Sequence, residues 1–192
     1  MIKLIVFLGN YGKQYEKNRH NTAWLFADST PCAYLSWQSK FKGQFASESN
    51  AASEKNPYIY YLKPETYMNL SGDAIIEAAH FYKIKPEEIL VVHDELELPL
   101  GTMSLKWSGG LGGHNGLRST KANLGTADFW RLRFGIGRPT HPDIAGYVLS
   151  DFSKQEREVL DRIFPKGNEL LNKLKSTEPD KLLEEYKKIS IS

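Results

Sequence analysis

The chain has 192 residues, of which 41% are hydrophobic and 25% are charged, and its formal net charge is +2. This composition is typical of one globular domain and excludes a disordered, collagen-like or coiled-coil chain. The single cysteine, Cys32, cannot form an internal disulfide, which favours a reducing compartment. The longest apolar run near the start, residues 4–8, is too short for a signal peptide or a membrane span, so we expect a cytoplasmic protein with no membrane partner.

The apolar pattern predicts strands that alternate with helices. Short β-branched and aromatic runs indicate buried strands, and apolar residues that recur with the helical period indicate helices. The first part of the chain is predicted to form a strand at 2–8, a polar loop through Arg19 and a helix from Asn21 or Thr22 to just before Pro31. Two or three strands follow within 33–62, of which 58–62 is the clearest, and then a helix at 72–82 with Ser71 as its N-cap. The remaining predicted elements are a strand at 89–92, an acidic loop at 93–98, a Gly-rich segment at 108–116 that leads into a helix ending near Gly125, a strand at 130–137, and helices from 153 onward.

This alternation predicts one α/β domain over residues 1–192, with a helical C-terminal segment at 153–190. We expect three layers, α/β/α, around a twisted, mostly parallel (mixed) sheet. In such folds ligands bind at the carboxyl ends of the strands. The polar loops after Leu8 and Val92 and the Gly-rich segment are therefore the candidate site.

The strand at 130–137 alternates apolar residues with Arg131 and Arg133, which predicts a half-exposed strand with a basic face. A net charge of +2 is too small to indicate a nucleic-acid partner by itself. Binding to a polyanion would therefore depend on a local basic patch such as this one.

The Gly-rich segment has five glycines among residues 109–116, so a ligand or a neighbouring backbone can approach it closely. It matches neither a P-loop nor a dinucleotide-binding fingerprint, because no Lys-Ser/Thr pair and no suitably spaced acidic residue follow it. His114 and Asn115 at the start of the next helix suggest that a side-chain amide and backbone N–H groups face a polar ligand. A loop that only packs tightly is the alternative.

His20 and Asp94 are candidates for acid–base chemistry. A histidine titrates near pH 6.5, and a carboxylate that orients it and raises its pKa gives a general base that works near neutrality. Alternatively, the acidic run at 93–98 is a solvated turn, or His93 and Asp94 bind a metal ion. The sequence contains no HExxH motif or cysteine cluster to support a metal site.

Residues 63–72 form a third polar segment. Tyr67 and Met68 in this segment suit either a core or an exposed groove that holds a base or an apolar side chain. Asn69, which follows them, is either a turn residue or a ligand contact.

Five blocks of the sequence together resemble the single-domain bacterial peptidyl-tRNA hydrolases, and the resemblance covers essentially the whole chain. The blocks are residues 9–21 (with Asn10, Gly12, Tyr15 and Arg19-His20-Asn21), 63–72, 93–99, 112–119 and 129–139. The resemblance implies a phosphorylase/hydrolase-like α/β/α fold. It also implies hydrolysis of the ester that joins a peptide to the 3′ ribose of tRNA, so the partner is the acceptor stem and 3′ end of peptidyl-tRNA.

The same resemblance implies the roles of individual residues. His20 is the base, Asp94 stabilises its competent form, and Asn10 discriminates N-blocked peptidyl-tRNA from free aminoacyl-tRNA. Asn115 also helps to position the water or to polarise the carbonyl group. We expect no metal, no cofactor and a monomer. The remaining contacts to the tRNA 3′ end, the peptide or the phosphates are assigned to Tyr15, Tyr67, Met68 (as part of the groove wall), Asn69, Asn115, Lys106 and Arg133.

Several positions depart from the family pattern, and none of them removes a proposed catalytic group. Ser104 stands where a basic residue often assists Lys106 in binding phosphate. The other departures are Tyr11 for the usual Pro, Asn18 for Thr, Ala23 for Gly and Ser108 for Gly.

The residues favour direct attack by water, because no serine or cysteine is placed as an evident nucleophile. Preorganised asparagine amides would stabilise the oxyanion, each donor contributing roughly 3 kcal/mol. Three alternatives remain open: a non-catalytic RNA-binding module, a metallohydrolase that uses His20, His93 and Asp94, and a paralogue that acts on another RNA-linked ester.

Overall fold

The structure is a computed structural model that describes residues 1–191. The described chain forms one eight-stranded sheet with helices on both faces. The strands are β1 (Leu4–Phe7), β2 (Gln38–Lys40), β3 (Gly43–Ser49), β4 (Tyr58–Pro64), β5 (Ile89–Glu95), β6 (Thr102–Trp107), β7 (Trp130–Gly135) and β8 (Ile189–Ser190). The helices are α1 (Thr22–Asp28), α2 (Ser71–Tyr82), α3 (Asn115–Leu124), α4 (Ile144–Val148), α5 (Lys154–Leu174) and α6 (Pro179–Leu182), with 3₁₀ turns at Lys13–Tyr15, Arg19–Asn21, Pro31–Tyr34, Met68–Leu70 and Pro86–Glu88.

The sheet is mixed, as the sequence predicted, and its strand order is β2-β3-β4-β1-β5-β7-β6-β8. The four central strands β4, β1, β5 and β7 are parallel, and both edges are antiparallel. The sheet is therefore parallel at its centre rather than over most of its pairings. The antiparallel edges follow from short connections, because a parallel pair needs a long crossover.

The three-layer prediction is confirmed by two cores, one on each face of the sheet. On one face, Phe7 of β1 and Phe134 of β7 pack with Phe26 of α1 and Phe164 of α5. On the other face, Leu4, Val6 and Val91 pack with the apolar sides of α2 and α3. Burial on both faces explains why β1 and β5 are almost continuously apolar.

The strand boundaries correct three predictions. β5 continues to Glu95, so His93 and Asp94 lie within a strand and not in an acidic loop. β6, which carries Lys106 at the antiparallel edge, was not predicted from the sequence. Residues 189–190 form β8 inside the segment predicted to be helical, because their backbone pairs with the start of β6.

Ser71 is the first residue of α2 and not its N-cap. The cap position is Leu70, and the Ser71 hydroxyl donates to the Met68 carbonyl. A preceding 3₁₀ turn thus leads directly into the helix and replaces a side-chain cap.

The predicted basic face of β7 is wrong for Arg131, which is 1% exposed. β7 is an interior strand, and the Gly-rich loop covers the face on which Arg131 lies. Its guanidinium donates to the carbonyls of Gly109 and Gly110 at 3.0 and 2.6 Å. Arg131 therefore holds the loop in place, and alternation alone could not show that a loop covers this face.

No helix within residues 1–191 combines the length and apolarity needed to cross a membrane.

Candidate active site

A cavity of about 310 Å³ opens at the carboxyl end of β5. Its lining includes His20, Asp94, His114 and Asn115 together with residues of α4. This location agrees with the rule that ligands bind at the carboxyl ends of parallel strands. The structure thus brings three of the predicted catalytic residues into one cavity.

His20 and Asp94 are 74 positions apart in sequence and in direct contact in the fold. His20 lies in the 3₁₀ turn before α1, and its Nδ1 is 2.9 Å from Asp94 Oδ2 and 3.1 Å from Oδ1. Both residues are buried, with 8% of His20 and 3% of Asp94 exposed. An imidazole that donates from Nδ1 keeps the lone pair on Nε2, as a general base requires.

The electrostatics of the pair favour its charged forms. Burial opposes protonation of His20, but the charge of Asp94 and its hydrogen bond outweigh burial and raise the pKa of His20. Burial likewise opposes ionisation of Asp94, yet the neighbouring His20 and His114 hold the pKa of Asp94 well below its usual range. Asp94 is therefore a carboxylate near neutral pH, and His20 is a stronger base than a free histidine.

The sequence motifs place His114 at a helix start but do not indicate that it belongs to this group. The Nδ1 atom of His114 accepts hydrogen bonds from the backbone N–H groups of Gly116 and Leu117, so the side chain caps α3. Because Nδ1 accepts these bonds, it carries no proton. The proton of the neutral ring is then on Nε2, which donates to Asp94 Oδ1 at 2.9 Å. The position of His114 beside Asn115 at a helix start was the available signal, but its link to Asp94 exists only in three dimensions.

The loop that carries His20 is braced from the C-terminal part of the chain. Arg19 pairs with Glu156 at 2.8 Å and donates to the Ser150 and Asp151 carbonyls. Its guanidinium also lies over the ring of Tyr147, 4.5 Å from the centroid. These contacts fix the turn next to His20 and connect it to α4 and α5.

Asn10 is held in place by its backbone and by its side-chain oxygen. Its backbone N–H and carbonyl pair with the side chain of Asn21, and its Oδ1 accepts from the Met68 N–H at 2.7 Å. Its amide nitrogen has no partner within residues 1–191 and is not sealed from solvent. Asn69 and Asn115 are exposed. Polar groups that could bind a peptide or an ester are therefore available on all three residues, whose roles stay predictions.

Tyr15 and Tyr67 belong to a surface aromatic cluster together with Tyr11. The rings of Tyr11 and Tyr67 stack with centroids 4.7 Å apart, and Tyr15 meets the edge of Tyr67 at 6.3 Å. Met68 is only 4% exposed and packs in the core under α2 and α3. Its expected place in the groove wall stays a prediction. Met68 is connected to the site through its backbone N–H, which donates to Asn10 Oδ1.

Lys106 and Arg133 lie outside the cavity of His20, on a neighbouring surface at the β6 edge. Arg133 donates to Glu95 at 3.2 Å and to Ser104 Oγ at 3.0 Å. Arg133 is therefore partly neutralised, whereas Lys106 has no ion-pair partner in the described chain.

The metal set considered from the sequence is not assembled. His93 is buried beneath Asp94, where its Nδ1 donates to the Asp94 carbonyl. Burial, followed by the electrostatic effect of the neighbouring His114 ring, lowers the pKa of His93 to about 3. The residues with ligand atoms within 4.8 Å of one another are instead His20, Asp94 and His114. Their facing atoms pair as N–H donors and carboxylate acceptors.

The fold and the carboxylate-oriented imidazole are those of an α/β hydrolytic enzyme. Residues 4–192 match the family model described as peptidyl-tRNA hydrolase. The chain therefore belongs to the peptidyl-tRNA hydrolase family.

Individual relatives agree with this assignment. The peptidyl-tRNA hydrolase of Desulfitobacterium hafniense (strain Y51) is 51% identical over 168 residues, which are 86% of this chain and 89% of that protein. The Treponema pallidum (strain Nichols) enzyme is 48% identical over 92% of this chain and 89% of its own length. The crystal structure of peptidyl-tRNA hydrolase from Acinetobacter baumannii has a TM-score of 0.85 and 33% identity, over 97% of this chain and 94% of that chain.

Proposed function

We propose that this protein hydrolyses the ester between the peptide and the 3′ ribose in peptidyl-tRNA, with His20 as the general base. The observation that carries the proposal is the chain of contacts from His114 through Asp94 to His20. Both carboxylate oxygens of Asp94 are engaged by N–H donors, so His20 has one defined tautomer whose Nε2 lone pair is available to accept a proton from water.

The reaction has two proton transfers and no covalent enzyme intermediate. His20 Nε2 takes a proton from water as the water oxygen bonds to the ester carbonyl carbon. The amide of Asn115, on the same cavity wall, stabilises the negative charge on the carbonyl oxygen. When the tetrahedral intermediate collapses, the bond to the ribose 3′ oxygen breaks and protonated His20 supplies the proton to that oxygen.

Substrate selection is divided between the cavity and the surface beside it. The free amide nitrogen of Asn10 and the exposed Asn69 bind the first peptide unit, and an amide suits this role because it offers both donors and an acceptor. The tyrosine cluster of Tyr15 and Tyr67 contacts the tRNA 3′ end, and Lys106 and Arg133 contact phosphates. The enzyme acts as a cytoplasmic monomer without a cofactor, on a substrate that translation produces.

The test measures release of N-acetyl-amino acid from N-acetyl-aminoacyl-tRNA by the purified protein. Replacing His20 by Ala should lower kcat by at least about 10²-fold, the usual contribution of a general base, and leave tRNA binding nearly unchanged. His80→Ala is the matched control, because His80 is an exposed histidine on α2 away from the cavity.

The same assay separates the alternatives. A protein that binds tRNA without cleaving it would be an RNA-binding module, and cleavage of only a different RNA-linked ester would indicate a paralogue. Activity lost in EDTA and restored by a divalent cation would mean that His20, Asp94 and His114 bind a metal.

A further inference from the structure

A second cavity, of about 570 Å³, lies at the β6 edge of the sheet. β6 forms one wall, and the chain that follows α6 forms the other. Its basic residues are Lys106, Arg133, Lys187 and Lys188, and Glu184 is the acidic residue in the wall. Residues from two distant parts of the sequence thus form one positively charged surface.

The position of the C-terminal lysines is set by the backbone. β8 pairs antiparallel with the start of β6, and Leu105 N–H donates to the Tyr186 carbonyl at 2.8 Å. Ser104 Oγ donates to the Lys187 carbonyl at 2.6 Å and is itself 2% exposed. The residue that departs from the family pattern on β6 is therefore the one that anchors Lys187.

Three of the four positive charges on this surface have no ion-pair partner within residues 1–191. Arg133 pairs with Glu95, but Lys106, Lys187 and Lys188 form no ion pair there. Lys187 and Lys188 are exposed. Burial lowers the pKa of Lys106, and the positive charges of Arg133 and Arg131 lower it further. Such a surface attracts a polyanion.

We propose that Lys187 and Lys188 extend the Lys106 surface into a binding site for the phosphodiester backbone of the tRNA acceptor stem. In this chain the C-terminal segment supplies the positive charge that Ser104 does not. The inference rests on the proposed function, since it assigns the polyanion to the tRNA part of the substrate. Lysine contacts of this kind position a nucleic acid and carry no sequence preference.

The test compares the double variant Lys187→Gln/Lys188→Gln with the control Lys55→Gln/Lys166→Gln. Each variant loses two positive charges, and Lys55 and Lys166 are exposed and lie outside both cavities. kcat and KM for N-acetyl-aminoacyl-tRNA are measured over a range of salt concentrations. Binding of a fluorescent acceptor-stem hairpin, which requires no catalysis, is measured in parallel.

We expect the C-terminal variant to raise KM and the hairpin Kd about fivefold or more at low salt and to leave kcat unchanged. The slope of log Kd against log salt should become shallower by about 0.7 to 0.9 for each phosphate that the variant no longer binds. The control variant should behave as the wild type. Equal unfolding midpoints for the two variants would show that the fold is intact.

The inference is overturned if the C-terminal variant matches the control in hairpin Kd and salt slope, or if only kcat falls. A wild-type protein that binds the hairpin but releases no N-acetyl-amino acid contradicts the proposed function instead. The two failures are therefore distinguishable.

Discussion

Asp94 accepts hydrogen bonds from two imidazoles on opposite oxygens, and this arrangement determines the proton positions in the site. His114 Nε2–H occupies Oδ1, and His20 Nδ1 approaches Oδ2. Asp94 is buried, so an uncharged replacement would alter the hydrogen bonds of both imidazole rings at once. Each of the two histidines consequently has one favoured tautomer.

Replacing Asp94 by Asn should lower kcat/KM by about 10²-fold or more, because an amide no longer enforces the His20 tautomer. The pH profile of kcat/KM tests the direction in which Asp94 shifts the pKa of His20. The base must be unprotonated and Asp94 raises the pKa of His20, so the wild-type acidic limb should lie above pH 6.5. In the variant that limb should move to lower pH. Asp161→Asn, at an exposed carboxylate on α5, is the control, and an unchanged limb would contradict the role of Asp94.

At the scale of elements, the start of α3 supports both the helix and the site. The side chain that caps its N-terminus, His114, also donates to the carboxylate at the end of β5. Arg19 similarly connects the turn carrying His20 to Glu156 in the first turn of α5. The proposed catalytic groups are thus held by side chains that also stabilise element ends.

The two roles of His114 are separable in His114→Asn. Asparagine is a good N-cap, so the unfolding free energy should retain the cap's contribution of about 1 kcal/mol, whereas His114→Ala should lose it. The shorter side chain does not reach Asp94, which then interacts more strongly with His20. We expect the acidic limb of kcat/KM to move to higher pH in His114→Asn. Urea unfolding and a pH–rate series measure the two effects. An acidic limb that does not move would show that His114 does not influence His20 through Asp94.

At the scale of the whole molecule, the hydrolytic cavity and the basic surface are distinct. The cavity lies between β5, α3 and α4, and the basic surface lies between β6 and the C-terminal segment. In the proposed function, one substrate spans both, with its ester in the cavity and its acceptor stem on the basic surface. Chemistry and phosphate binding should therefore respond differently to solution conditions.

Raising salt from about 50 to about 200 mM should increase KM for N-acetyl-aminoacyl-tRNA about tenfold, because salt weakens the binding of phosphates. KM for 3′-O-(N-acetyl-aminoacyl)adenosine, which has the ester but no acceptor stem, should change little. Parallel kinetics on the two substrates check this prediction. An equal response of both would show that salt acts on the catalytic cavity itself.

Local patterns in the amino-acid sequence were enough to predict the α/β class, the buried strands β1 and β5, the helix α5 and the motif residues His20 and Asp94. A strand that is buried on both faces has a continuous run of apolar residues, and a helix that is buried on one face has apolar residues at the helical period. These elements can therefore be identified from short stretches of sequence. The five motif blocks together indicated the family before the fold was known.

The partners of the polar side chains could be identified only from the tertiary structure. It placed His114 on Asp94, buried Arg131 under the Gly-rich loop, and brought Lys187 and Lys188 next to Lys106. These contacts join segments far apart in the chain, and a polar side chain carries no periodic signal that names its partner. Its environment is set by which strands pair and which loops cover them, and this depends on packing of the whole sheet.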